Sequence, residues 1–230
     1  MRSLLIKSLY DSYYNELLEL KSVQASRANH METPFDDIEC ELLYMFVRAL
    51  RPKSVVEFSP YQGWSTTWLL EAMNRNGVGD CVAYDLVSDS REKLHELDID
   101  CSRWRLVVDD VTKHYSSFDY DLIDFIFIDS DHSREFAEKY VAEVLIPAKK
   151  YCSEEDKNTL VFIHDILHTT WECGEQQVIK DFLSKNNITY ITASEMGSSR
   201  EQINKIRNKL GLDKQQIQWA EVNPGVFFIL

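Results

Sequence analysis

The stretch VVEFSPYQGWSTTWLLEAM, residues 55–73, decides the fold. It belongs to a short β-branched run, SVVEF at 54–58, that reads as a buried strand. It passes into WSTTWLLEAMNR, which reads as a helix. Between them SPYQG turns the chain with one proline and one glycine. In open α/β sheets such a turn lies at the carboxyl end of its strand, where ligands bind. The glycine pattern excludes two common ones. A dinucleotide pyrophosphate needs G-x-G-x-x-G to reach backbone, and a P-loop needs Gly-Lys-Ser/Thr. Here Gly63 stands alone in the turn.

Strand and helix signals alternate on the C-terminal side of this unit. CVAYDL (81–86), RLVVDD (105–110), TLVFIHD (159–165) and ITYIT (188–192) read as strands. YDLIDFIFID (120–129) reads as one long, nearly apolar strand at the sheet centre. SREKLHEL, REFAEKYVAEVLIPAKK, GEQQVIKDFLSKN and SSREQINKIRNKLG read as helices, the second stopping near Pro147 and the last closed by Gly211. QIQWAEV and GVFFIL read as late strands, paired as a hairpin around Asn223-Pro224-Gly225. Upstream, Leu5, Leu9, Tyr13, Leu17 and Leu20 mark an amphipathic helix over 4–20. Pro34, Asp36 and Asp37 announce a second helix, 36–49, ended by Arg51-Pro52. The expected architecture is α/β: a Rossmann-like doubly wound sheet, mostly parallel with an antiparallel late strand. Residues 1–50 form an N-terminal helical extension, a lid or homodimer contact, and 51–230 the main domain.

Composition narrows the function. The 230 residues, 44% hydrophobic and 12% aromatic, suffice for a folded core. A net charge of −13 and the lack of a Lys/Arg cluster argue against nucleic acid as a partner. The five cysteines form no CxxC and read as free thiols in a reducing compartment. No run approaches the ~18 apolar residues of a membrane span, and the first residues lack the features of a signal peptide. The expectation is a soluble, cytoplasmic protein without membrane contact.

Three consecutive strands end in acids: Glu57, then Asp85, then Asp109-Asp110. Glu57 can accept a hydrogen bond from an ammonium group. Backbone N–H groups near Gly63–Ser65 can meet a carboxylate. Asp85, 22 positions after Gly63, suits ribose hydroxyls, and Asp109-Asp110 an adenine amino group. An amino-acid tail, a ribose and an adenine together make S-adenosylmethionine.

E-F-S-P-Y-Q-G-W-S resembles the first motif of class I S-adenosylmethionine-dependent methyltransferases, in the form E-x-x-x-x-x-G-x-S. The metal-dependent branch containing catechol, caffeoyl-CoA and macrocin-type sugar O-methyltransferases and the cephalosporin-hydroxylase-like proteins is the most similar, over roughly residues 30–195. Ser59 stands where that family often has glycine. Glu57, Ser59, Gly63, Ser65, Asp85, Asp109, Asp110 and Asp129 are the residues expected to hold the cofactor.

A second constellation ends the next two strands: I-D-S-D-H (128–132) and F-I-H-D (162–165). Asp and His side chains on neighbouring strand ends suit a divalent cation. The resemblance implies a metal held by Asp129, His164 and Asp165. The expected ion is Mg²⁺ or Mn²⁺; the histidine departs from the oxygen-only set that Mg²⁺ prefers and shifts the expectation toward Mn²⁺ or another transition metal. In the sugar-modifying relatives the histidine of D-x-x-H is a candidate general base, which makes His132, with Asp129, the expected catalytic pair. Asp131 would cap the helix starting near Ser133. His168 and Trp171 would line the acceptor pocket, and His30, Met31 and Thr33 would close over the cofactor. The function expected is O-methyl transfer to a carbohydrate or glycosylated small molecule. A catechol O-methyltransferase and a non-catalytic S-adenosylmethionine-binding protein are the alternatives.

Overall fold

The computed structural model describes residues 2–32, 35–167, 174–192, 198–212 and 224–230. Strand β1 (Ser54–Phe58) lies third from one edge of a seven-stranded sheet, beside the central strand. With β2 (Asp80–Asp85), β3 (Trp104–Val108), β4 (Phe125–Ile128), β5 (Leu160–Ile163), β6 (Tyr190–Thr192) and β7 (Val226–Ile229), the order is β3-β2-β1-β4-β5-β7-β6. The first five strands are mutually parallel, and β7 runs antiparallel to both neighbours, β5 and β6. The chain therefore leaves β1 toward one edge and returns to its other side at β4, which makes the β1/β4 boundary the switch point. Phe58 pairs with Tyr84 and Ile128, and Ile128 with Ile163, so the carboxyl ends are level along one rim.

Alternation along the strands divides the apolar side chains into two cores. Val55, Phe125, Phe127, Phe162 and Phe227 join one, with helices α1 (Arg2–Arg27), α2 (Asp37–Leu50), α3 (Trp64–Asn76) and α8 (Ser198–Lys209). Val56, Phe58, Ile126, Ile128, Val161 and Ile163 join the other, against α5 (Arg134–Tyr140), α6 (Ile146–Glu155) and α7 (Gly174–Lys185). Helix α4 (Asp89–Glu96) follows β2. Asp36 caps α2 by accepting from the backbone N–H groups of Ile38 and Glu39, as Ser/Thr/Asp/Asn caps do.

Helix α1 runs longer than its apolar spacing suggested and is stitched into the domain by charge. Glu41, fully buried on α2, faces Lys21 and Tyr10 of α1 and Arg207 of α8, and Arg207 also meets Asp37. Gln24 donates to Thr67 Oγ1 of α3 at 2.8 Å. The short segment after α1 reaches the SPYQG turn, where Glu32 N–H donates to Gln62 Oε1 at 2.8 Å.

Two sequence expectations are corrected. The long strand at 120–129 is confined to Phe125–Ile128. Asp119 accepts from Asp121 N–H at 3.0 Å and its carbonyl from Leu122 N–H, so 120–122 make a turn instead. The helix over 134–150 does not stop near Pro147. A π-helical turn, Val141–Leu145, precedes the proline, with Ile146 N–H donating to Val141 C=O, and the helix continues to Glu155. The wider turn absorbs the proline's missing donor and ring clash, and Pro147 falls in the first turn of α6, where an N–H is dispensable. The QIQWAEV strand and its hairpin lie outside the described residues. Among those residues no helix is long and apolar enough to cross a membrane, and Cys40, Cys81, Cys101 and Cys152 are free thiols.

Candidate active site

The SPYQG turn has a glycine-like backbone at three of its five positions. Ser59, Tyr61 and Gly63 have φ of 57°, 53° and 90°. Left-handed geometry at Ser59 accounts for the glycine preferred there in the resembled motif, since glycine alone adopts it without cost. The turn is fixed from β2 and from within. Ser59 N–H donates to Tyr84 C=O at 2.7 Å, and Gly63 N–H to Pro60 C=O at 2.7 Å. Asp85 accepts from Tyr61 N–H at 3.0 Å through Oδ2 and from Val87 N–H at 3.3 Å through Oδ1. The acid at the end of β2 thus aligns the turn after β1.

Glu57 and Ser65 point inward, toward each other. Glu57 is fully buried and accepts from Ser65 Oγ at 2.9 Å and Thr66 Oγ1 at 3.0 Å. Burial pushes its carboxyl up to about 7, against the pull of those hydroxyls. Its visible work is to moor the first turn of α3 to β1. Asp109 accepts from Lys113 Nζ at 2.7 Å and Asp110 N–H at 2.8 Å, and its carboxyl is held down at about 2, Lys113 being the main cause. Asp110 caps a 3₁₀ turn through Thr112 N–H.

Beyond the switch point lies the second cluster. Asp129 follows β4, and His164 and Asp165 follow β5. His164 Nδ1 lies 3.2 Å from Asp129 Oδ1 and 3.3 Å from Asp165 Oδ1. One donor atom from each of the three falls within 4.8 Å of the others. The His164 ring is 1% exposed, stacked on Phe35 at 3.8 Å between centroids. Its Nε2 is 3.4 Å from Oε2 of Glu39, a buried acid whose Oε1 accepts from Gly225 N–H at 2.6 Å. Burial alone would depress the imidazole, but the charges of Asp129, Asp165 and Glu39 together raise it well above its ordinary value. Asp165, at φ 52°, is raised to about 6, chiefly by burial.

His132 stands next to this cluster. Its Nε2 is turned toward Asp165, 3.9 Å from Oδ2, and its Nδ1 is 2.6 Å from Glu175 Oε2. The hydrogen bond to Glu175 is the main cause that raises the imidazole above its usual range. Glu175 is 1% exposed, and its other oxygen accepts from Tyr140 Oη at 2.7 Å. Burial raises the Glu175 carboxyl, against the pull of His132 and Tyr140. Asp131 caps as expected, accepting from Ser133 N–H at 3.0 Å.

The rim therefore gathers Asp85, Asp129, His132, His164 and Asp165 around the switch point, with Glu57 and Ser65 behind the turn. His168, Trp171 and Thr33 lie outside the described residues. Sequence reasoning missed Glu39 and Glu175. Both are acids on helices whose neighbours in sequence are unremarkable, and the one signal available was an acid at a helical position that packing then buries.

Residues 56–166 match the model of a family described as methyltransferase domain. Searches against proteins of curated function gave no match. Several solved structures share the fold. An O-methyltransferase from Bacillus cereus in complex with S-adenosylhomocysteine is 15% identical, covers 99% of this chain and 97% of its own, and has a TM-score of 0.56. TomG, an O-methyltransferase from Streptomyces achromogenes in complex with S-adenosylmethionine, is 14% identical over 91% of this chain and 87% of its own, with a TM-score of 0.57. The fold is that of a methyltransferase. A methyltransferase from Podospora anserina bound to S-adenosylhomocysteine is similar as well, at 14% identity, 92% and 86% coverage and a TM-score of 0.51. The domain match over residues 56–166 and the shared fold both point to a methyltransferase.

Proposed function

We propose that this chain transfers the methyl group of S-adenosylmethionine to a hydroxyl oxygen, and that the acceptor is a carbohydrate or glycosylated small molecule. One observation carries the reading: the turn tied to Asp85 and the Asp129–His132–Asp165 cluster share one rim on either side of the switch point. A donor seated at the first would present its sulfonium methyl toward the second.

An alcohol gives up its proton reluctantly, so the acceptor oxygen needs a base. His132, with Nε2 turned to the rim, is placed to take it. As the acceptor oxygen bonds to the methyl carbon, the carbon–sulfur bond breaks, and the proton goes to His132. A phenol ionises more readily and has less use for a dedicated base, which is why the carbohydrate reading stands ahead of the catechol one.

A divalent cation fits Asp129, His164 and Asp165. The imidazole and carboxylate donors suit Mn²⁺ better than Mg²⁺. The Glu39 carboxylate lies 3.4 Å from His164 Nε2, on the side where metal-binding histidines carry an outer partner, and Nδ1 faces the two aspartates. Such an ion would lower the acceptor hydroxyl's pKa and fix its direction.

The test is calorimetric titration with S-adenosylhomocysteine, followed by methyl transfer from labelled S-adenosylmethionine to panels of glycosides and catechols with Mn²⁺ or Mg²⁺. Micromolar binding and labelled glycosides support the proposal. A folded protein that binds no S-adenosylhomocysteine sinks it, and labelling confined to catechols transfers the reading to a phenol acceptor.

A further inference from the structure

We propose that Glu175 is the positioning residue that makes His132 a base: it holds the imidazole proton on Nδ1 and aims Nε2 at the rim, with Tyr140 holding Glu175. The inference rests on the methyl-transfer reading above and names the residues that would give it a working base.

The geometry is directional. At 2.6 Å, His132 Nδ1 and Glu175 Oε2 are within hydrogen-bond range, whereas Nε2 and Asp165 Oδ2 at 3.9 Å are not. A carboxylate only accepts, so Nδ1 must donate, and in the neutral ring Nε2 then carries the lone pair. A free imidazole side chain prefers the opposite tautomer, with the proton on Nε2, so Glu175 reverses the default. When Nε2 takes the acceptor's proton, the positive charge forms beside a buried negative one, the arrangement in which a third group orients a base.

The fold holds Glu175 where this needs it. Glu175 is the second residue of α7, and its own N–H donates to His132 C=O at 3.3 Å. Tyr140, fully buried at the end of α5, occupies the remaining oxygen. The two helices approach so closely that a Cβ on Gly174 would lie 2.6 Å from Arg134 Cβ and 2.7 Å from Arg134 N. Glycine at 174 thus lets the start of α7 dock against the start of α5, which seats Glu175 under His132. A carboxylate that served only to join two helices would be costly at 1% exposure. Here both oxygens are engaged, and one of them by the ring that faces the rim.

The test reads the tautomer directly and needs no acceptor. Long-range ¹H–¹⁵N spectra of protein labelled at histidine nitrogen, with His132 assigned through His132→Asn, are recorded at a pH where the ring is neutral. In the wild type Nδ1 should show the protonated-type shift and Nε2 the unprotonated type. In Glu175→Ala the two types should exchange, and in Tyr140→Phe they should stay. The inference is overturned by Nε2–H in the wild type, or by Nδ1–H persisting in a folded Glu175→Ala. If that variant does not fold, the wild-type spectrum alone decides. Titration of the same wild-type sample with S-adenosylhomocysteine separates the two readings. Binding with Nε2–H removes the pair and keeps the methyltransferase, whereas Nδ1–H without binding keeps the pair and removes the methyltransferase.

Discussion

Replacing Glu57 with glutamine should stabilise the protein above neutral pH and leave its stability nearly unchanged in acid. Glu57 is fully buried, and its carboxyl titrates at about 7 instead of the ordinary 4.5, mainly because burial penalises the charged form. The folded state therefore binds a proton that the unfolded chain releases between those two values. Stability is highest below about 4.5 and falls as pH rises through about 7. A displacement of 7 − 4.5 units corresponds to about 3 kcal/mol at full ionisation. Glutamine is an isosteric neutral acceptor that can still receive Ser65 or Thr66 and carries no such penalty. In a domain of this size the gain appears as a melting temperature raised by roughly 6–12 °C at pH 8. At pH 4, where the carboxyl is largely protonated in the native and the unfolded chain alike, the two proteins should melt together. Thermal and urea unfolding at both pH values measure it. A Glu57→Gln protein less stable than the wild type at pH 8, or a difference that does not change with pH, would refute the reasoning.

Other expectations follow from contacts already described. Asp85→Ala removes the acceptor that aligns Tyr61 N–H, so S-adenosylhomocysteine should bind about 10–100-fold more weakly by calorimetry. Gly174→Ala places a methyl against Arg134 backbone and should cost about 1–3 kcal/mol in urea unfolding. Asp165→Asn should abolish Mn²⁺ binding as followed by electron paramagnetic resonance of the free ion, if the three-residue cluster holds the cation. His132, raised in the fold chiefly by Glu175, contributes stability that is present below its unfolded value near 6.5 and is lost as pH rises through its folded value. The melting difference between wild type and His132→Gln should therefore shrink as pH rises.

Much of the sheet could be read directly. SVVEF is the observed β1 to the residue, because a fully covered parallel strand needs a β-branched, apolar run and tolerates little else. The strand-end acids, the start of α2 at its acidic pair, the Asp131 cap and the antiparallel last strand were visible for similarly local reasons. Local rules failed where two signals competed. Asp119 turned an apolar-looking stretch that strand propensity claimed, and a π turn carried a helix past Pro147. The site itself was half visible. His132 and Asp129 share a short motif, but Glu175 lies 43 positions from His132 and joins it only through the docking of α7 on α5. Glu39 is harder still, since nothing in α2 announces that one of its acids ends beside a histidine at the end of β5.

The buried charge cluster around Glu41 bears on how the protein is born. Arg207 is 170 positions after Asp37 and 166 after Glu41. Glu39 likewise waits for Gly225, 186 positions later. On a ribosome adding about 5–20 residues per second, roughly 10–30 s separate the emergence of α2 from that of its guanidinium partner. Through that interval a nascent chain holds acids destined for burial with half of their counter-charge still unmade. The sheet is equally incomplete, because β7, the latest of the seven described strands in sequence, is the one inserted between β5 and β6. Native closure therefore waits for β7 to emerge, and chains stalled or cleaved before residue 207 should be clients of chaperones and proteases rather than partly working enzymes.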